Sequence, residues 1–189
     1  ATHIKNLNTS GQPAILVSHP ECEDPRNDRK HQLWRIQIEK IRVTGNEKSG
    51  AGIEARQTNE LFIDGVTISE NGGDGILLDY CYEDPRITAC LITYNKQVGV
   101  KVQGCHDIVV SSCQFDENDD ALLCFVGFNL CMTGFCVDDQ LGDGVVIENT
   151  YGSVVSGNMI EECHGTAIVL DRDCYGITLS ANVIAHNGC

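Results

Sequence analysis

No stretch of this 189-residue chain approaches the ~18 consecutive apolar residues that a membrane-spanning helix needs, so no membrane span is expected. Little of it carries the 3.6-residue apolar period of an amphipathic helix. Basic residues are scarce beyond residue 56: positions 57–189 hold four Lys and Arg against twenty Asp and Glu, a balance of −16, whereas positions 1–56 hold nine against seven. Most of the chain therefore lacks a face that could neutralise phosphates, and no nucleic-acid partner is expected. The eleven cysteines contain no C-x-x-C pair, which removes zinc-type spacing. Nor is this a small secreted scaffold in which disulfides replace a core.

What the chain does have is a repeat. A small residue followed by an apolar one recurs at Ala14, Gly52, Gly75, Gly99, Ala121, Gly144 and Ala167, and after Gly52 the steps are 23, 24, 22, 23 and 23 residues. A second column keeps the same beat at Leu7, Val43, Ile68, Ile92, Phe115, Val137, Ile160 and Ile184. Asn follows three residues later at Asn46, Asn71, Asn95, Asn118 and Asn187, with Ser10, Gln140 and Cys163 in the remaining places. Each repeat holds three short, β-branched apolar segments, too short for helices. Three strands and three turns in about 23 residues make one coil of a parallel β-helix, stacked on the next at roughly 4.8 Å. The Asn column is expected to stack on its own kind and to supply left-handed backbone, and the glycines of "NGGDGILLDYC" (71–81) to be turn residues. The cysteines fall into columns too, Cys90 with Cys113 and Cys81 with Cys105, and buried free thiols are the main expectation. Neighbouring coils also bring Cys81 and Cys105 within disulfide range.

The repeated pattern "GDGILL…ITACLITYN" resembles the right-handed parallel β-helix superfamily, which includes pectate lyases, polygalacturonases, alginate epimerases and phage tailspikes. The resemblance covers essentially the whole chain. It implies an all-β right-handed parallel β-helix solenoid of about seven coils of 22–25 residues, a single domain over 1–189 with a loop inserted at 19–34. It also implies an extracellular or periplasmic protein whose partner is a polysaccharide. The activity implied is that of a hydrolase, lyase or epimerase; the alternative is a non-catalytic module, an adhesin, tailspike-like binder or spacer. Leu7 falls in the late-strand column and Cys189 just before the next anchor. The chain is therefore expected to be a segment of a longer protein, continued by further coils or by end-to-end self-association.

Family members work on the groove beside the first strand of each coil. Strand alternation turns Glu54, Arg56, Asp79, Lys101, Gln103 and Phe125 outward on that face, and these are the candidate substrate-binding residues. The turn before this strand is acidic, and Asp119, Asp120 and Asp143 with His164 are the candidate catalytic group. Carboxylates on neighbouring coils suit acid and base roles in glycoside hydrolysis. Asp74, Asp119, Asp120 and Asp143 equally suit a hard cation such as Ca²⁺. The polygalacturonase pattern of three turn elements is matched in one only: "NDDALL" offers Asp119 and Asp120, Val98 stands in "KQVGV" where an Asp belongs, and His164 in "CHGTAI" comes one coil late. The insertion 19–34 is expected to be a surface loop or a groove wall. Trp34 is expected in the core.

Overall fold

The structure, a computed structural model, describes residues 2–188. These residues form no helix; they form short strands of two to four residues, all paired in parallel. The groove sheet takes one strand from each of seven coils: Ile15–Val17, Ile53–Arg56, Ile76–Asp79, Val100–Gln103, Leu122–Phe125, Val145–Glu148 and Ile168–Asp171. A second sheet of seven strands runs from Gln37–Glu39 to Thr178–Ser180, and a third of eight from Thr2–Lys5 to Val183–Ala185. The register follows the small-residue column, with Ile76 beside Val100 and Leu122 beside Val145. The chain is thus a parallel β-helix of about seven coils.

Strand alternation builds the core. Ile76, Val100, Leu122 and Val145 form one buried row and Leu78, Val102, Cys124 and Ile147 the next. The third sheet adds Ile68, Ile92, Phe115, Val137 and Ile160, and the second adds Ile63, Ile87, Val110, Met132 and Val155. A single coil could not enclose such rows, so each aliphatic side chain gains its ~1.5–3 kcal/mol of burial only by stacking. In the last coil the same inward positions are uncovered: Leu170 is 46%, Leu179 44% and Ile184 54% exposed.

At the corners the chain bends and a backbone N–H loses its strand partner. Asn71 donates its backbone N–H and its Nδ2 to Asn95 Oδ1 at 3.2 and 2.8 Å, and Asn95 does the same to Asn118 Oδ1. Asn118 passes both on to Gln140 Oε1. The stacked Asn column is therefore real, but its backbone role differs from expectation. The left-handed residue is the one before it, at Glu70, Tyr94 and Glu117, with φ of 61°, 58° and 48°. The Asn must aim its amide inward along the stack, so the bend falls on an outward-facing neighbour that bears the ~1–2 kcal/mol strain. The column also begins elsewhere: Val43 pairs with Ile4, while Leu7 is 76% exposed.

The glycines are corrected in the same way. Gly75 does not adopt a left-handed φ; a Cβ there would lie 2.5 Å from the Gly99 carbonyl oxygen and 2.7 Å from Ile92 Cγ2. Close approach of coils, not turn geometry, requires it. The cysteines are free among the described residues. Cys90 and Cys113 point their thiols at the carbonyls of Thr88 and Ser111 at 3.2 and 3.3 Å, and Cys105 Sγ accepts the Cys81 N–H at 3.2 Å.

Asn95→Ala should leave the buried Asn71 N–H unpaired and its Nδ2 with only the Ser69 carbonyl, at 3.2 Å, and cost about 2 kcal/mol. Urea unfolding of the variant checks this. A loss under about 0.5 kcal/mol would mean that water or relaxation replaces the ladder.

Candidate functional site

The groove sheet brings the expected outward residues onto one face. Leu77 lies in register with Glu54 on one side and Lys101 on the other; Asp79 lies between Arg56 and Gln103, and Gln103 beside Phe125. Arg56 pairs with Glu54, which is buried. Burial pushes the Asp79 carboxyl above the usual range, Arg56 pulls it back, and Glu54 and Asp24 push it further up. One Asp79 oxygen, Oδ1, is buried without a hydrogen-bond partner. Asp24 belongs to the insertion, so that loop stands against the early part of this face. Gln57 Nε2 donates to the Pro25 carbonyl and holds the loop there.

The acidic turn has a different geometry. Asp74 Oδ1 accepts the Val98 N–H at 3.1 Å, Asp120 Oδ1 the Asp143 N–H at 2.7 Å, and Asp143 Oδ1 the Thr166 N–H at 2.6 Å. Each carboxylate caps the matching amide of the next coil. Burial raises the Asp120 carboxyl, the Asp143 amide lowers it, and the charges of Asp119 and Asp143 raise it again. Asp119 is exposed. His164 lines a hollow of about 300 Å³ with Asp139, Glu162, Cys163 and His186. In that region Asp138, Asp139 and Glu162 bring carboxylate oxygens within 4.8 Å of one another.

A further site lies round the corner from the groove sheet. A hollow of about 320 Å³ is lined by Arg29, Gln32 and Trp34 with Asn59, Tyr82, Glu83, His106 and Asp107. Trp34 is 47% exposed here, against the expectation that it enters the core. It sits in a two-residue strand, Leu33–Trp34, paired with Thr58–Asn59, whose outward position it takes. The other rings form a row along the rod: Tyr82–His106, His106–Phe128, Phe128–Tyr151 and Tyr151–Tyr175 have centroids 4.9, 5.6, 5.2 and 4.8 Å apart. Asn59 interrupts that row between Trp34 and Tyr82. Its side chain is drawn inward to accept the Tyr82 N–H at 3.1 Å, and a gap opens over it. The guanidinium of Arg29 lies 5.3 Å from the Tyr82 ring centroid and closes one side. The sequence carries a signal for the row, an aromatic residue at steps of 24, 22, 23 and 24 from Tyr82 to Tyr175, which the apolar columns overshadow.

A family model described as periplasmic copper-binding protein (NosD) matches residues 86–189, more than half of the chain. No curated protein sequence matches it significantly. Among solved structures, ORF18 of Geobacillus virus E2 superposes with a TM-score of 0.59 at 17% identity, over 99% of this chain and 46% of that one. Tailspike protein 2 of Escherichia coli O157:H7 bacteriophage CAB120 gives 0.58 at 16%, over 85% and 29%. PfbA, a surface adhesin of Streptococcus pneumoniae, gives 0.57 at 13%, over 94% and 51%. The chain spans about half or less of each, and at these identities the likeness is one of fold.

Asp74 supplies a test of the acidic turn. Burial raises its carboxyl above the usual range, against the pull of Lys101 and the Val98 amide. A carboxyl raised on folding favours the fold while protonated; that contribution is complete below the unfolded pKa and is lost as pH rises through the folded one. Asp74→Asn keeps an oxygen for the Val98 amide. It should melt roughly 2–5 °C higher than the parent at pH 7, and the difference should vanish below about pH 3.9. Equal melting at pH 7 would mean that Lys101 offsets the burial.

Proposed function

Because the chain belongs to the family described as periplasmic copper-binding protein (NosD), we propose that it works outside the cytoplasm, in the periplasm or at the cell surface, as a rod that binds glycan. The observation that carries this reading is the hollow at Asn59. Exposed Trp34 and His106 and half-buried Tyr82 offer ring surfaces for the apolar face of a sugar, and Gln32, Glu83 and Asp107 offer partners for its hydroxyls. Its volume of about 320 Å³ lies at the small end of ligand sites, the size for one or two sugar units. The outer face with Glu54, Arg56, Asp79, Lys101, Gln103 and Phe125 lies round the corner of the same coils and extends the surface along the rod. The charge of −16 beyond residue 56 favours a neutral or cation-bridged glycan over a bare polyanion. Further coils or a second copy stacked end to end would cover Leu170, Leu179 and Ile184.

A second reading is hydrolysis at Asp119, Asp120 and Asp143, favoured by the raised Asp120 carboxyl, which suits a general acid. The capping bonds of Asp120 and Asp143 weigh against it, since both carboxylates already serve the stack. Asp74, Asp119, Asp120 and Asp143 as calcium ligands belong to the same reading.

Copper in its soft, monovalent form would need thiolate or thioether donors. Burial pushes the Cys124 thiol up to about 12 and the Cys163 thiol up to about 11, and Met132 is fully buried, so these groups serve the core. Within the matched stretch Cys136 and Met159 lie in register and partly exposed on one hollow and are the soft pair, while Asp138, Asp139 and Glu162, with His164 and His186 nearby, are the donors that would hold a divalent ion such as Cu²⁺.

Two measurements test these readings. Trp34→Ala should weaken retention on immobilised neutral polysaccharide at least tenfold, with unchanged melting; retention equal to the parent's would overturn the assignment of the hollow. Asp120→Asn keeps the cap on the Asp143 amide and should fold normally. If the chain releases reducing ends from any polysaccharide, this variant should abolish the release, and full activity in it would remove Asp120 from the chemistry.

A further inference from the structure

The insertion carries side chains that the glycan reading leaves unused. His19, Glu21 and His31 each place a donor atom within 4.8 Å of the others. His31 is held from both sides: Nε2 lies 3.0 Å from Glu21 Oε2 and Nδ1 2.8 Å from Asp28 Oδ2. Asp28 is itself fixed, since its Oδ1 accepts the backbone N–H groups of Lys30 and His31, both at 3.2 Å. The His19 ring stacks on His31 with centroids 4.9 Å apart and planes 15° apart. None of these residues falls in the stretch 86–189 that the family model matches.

Two imidazoles and a carboxylate are the donors that borderline divalent ions prefer, with a fourth position left for water. A carboxylate on the far nitrogen of a ligand histidine is the usual means of fixing its tautomer and ring plane. We propose that His19, Glu21 and His31 bind one divalent transition-metal ion, Zn²⁺ or Cu²⁺, with Asp28 as the positioning residue for His31. His19 Nδ1 accepts the Glu21 N–H at 3.2 Å, a bond that coordination through Nε2 keeps and that water can replace, at the open edge of the loop, if Nδ1 is the ligand. His19 and His31 stand near the two ends of the insertion, so the ion closes the loop between them. That loop bears Arg29, which lies over Tyr82, and is followed by Gln32, whose Nε2 donates to Gln57 Oε1 at 3.0 Å. Metal would therefore order the rim of the hollow, although the ion site itself does not depend on what the hollow binds.

The test uses the full chain, stripped with a chelator and titrated calorimetrically with Zn²⁺ and with Cu²⁺ in separate runs. One ion per chain with a micromolar or tighter Kd is expected at the insertion, separate from any Cu²⁺ taken up beside Asp138, Asp139 and Glu162. Limited trypsin digestion at Arg26, Arg29 and Lys30 should slow about tenfold when the ion is added. His19→Ala combined with His31→Ala should lower the affinity of this site at least a hundredfold and abolish the protection, while His3→Ala leaves both unchanged. Asp28→Asn should weaken binding roughly 10–100-fold. Circular dichroism verifies that the variants fold. Absence of saturable uptake by the parent chain would overturn the proposal. So would a Kd unchanged in the double variant, which would place the ion elsewhere.

Discussion

Each bend of the coil leaves backbone amides that strand carbonyls do not satisfy, and side chains stacked between coils accept them. Asn95 takes the amide of Asn71, Asn158 that of Phe135, Thr150 that of Gly127, and Cys105 that of Cys81. Leaving one such buried donor unpaired costs about 1–3 kcal/mol, so each corner position must hold an acceptor or a residue that tolerates its neighbour's. The repeat length, the restriction to small residues where coils approach, and the inward rows all follow from keeping those acceptors in line. Cysteine fits the same corners as Asn and Thr because its thiol is small and both accepts weakly and donates to a nearby carbonyl.

The same constraint explains why acids alone identify no reacting centre. The turn before the groove strand puts a carboxylate beside the matching amide one coil away, and Asp74, Asp120 and Asp143 each take it. An aspartate there is an ordinary structural choice. The row of rings, by contrast, is broken at one place. Asn59 turns inward to cap Tyr82, and the missing ring leaves a gap that Trp34, Tyr82 and the insertion frame.

Charge follows the architecture. The insertion carries Arg26, Arg29 and Lys30 and lies against Asp79 and Tyr82, so three of the cations gather beside the hollow at Asn59. Arg56 and Lys101 sit on the groove face among Glu54, Asp74 and Asp79 and temper the rise that burial imposes on the two aspartates. Further along, Asp116 stands in register beside Asp138, and burial together with that neighbour raises its carboxyl.

The sequence by itself determined the architecture, because a period of about 23 residues recorded in two columns admits few solutions and each column reports an inward or a corner position. It also determined the outward face from Glu54 to Phe125, since alternation in a strand is strict. Tertiary structure alone decided which backbone position bends, because Glu70 and Asn71 are both polar and only the stack shows whose amide is needed inside. It decided that Gly75 answers to the crowding of Gly99 and Ile92, that Trp34 faces solvent, and that His164 stands with Asp139 and Glu162. It also folded the insertion so that His19 meets His31, residues whose spacing follows no repeat. Periodicity specifies what every coil shares, whereas the hollow and the insertion are single departures from it, placed only once the coils are stacked.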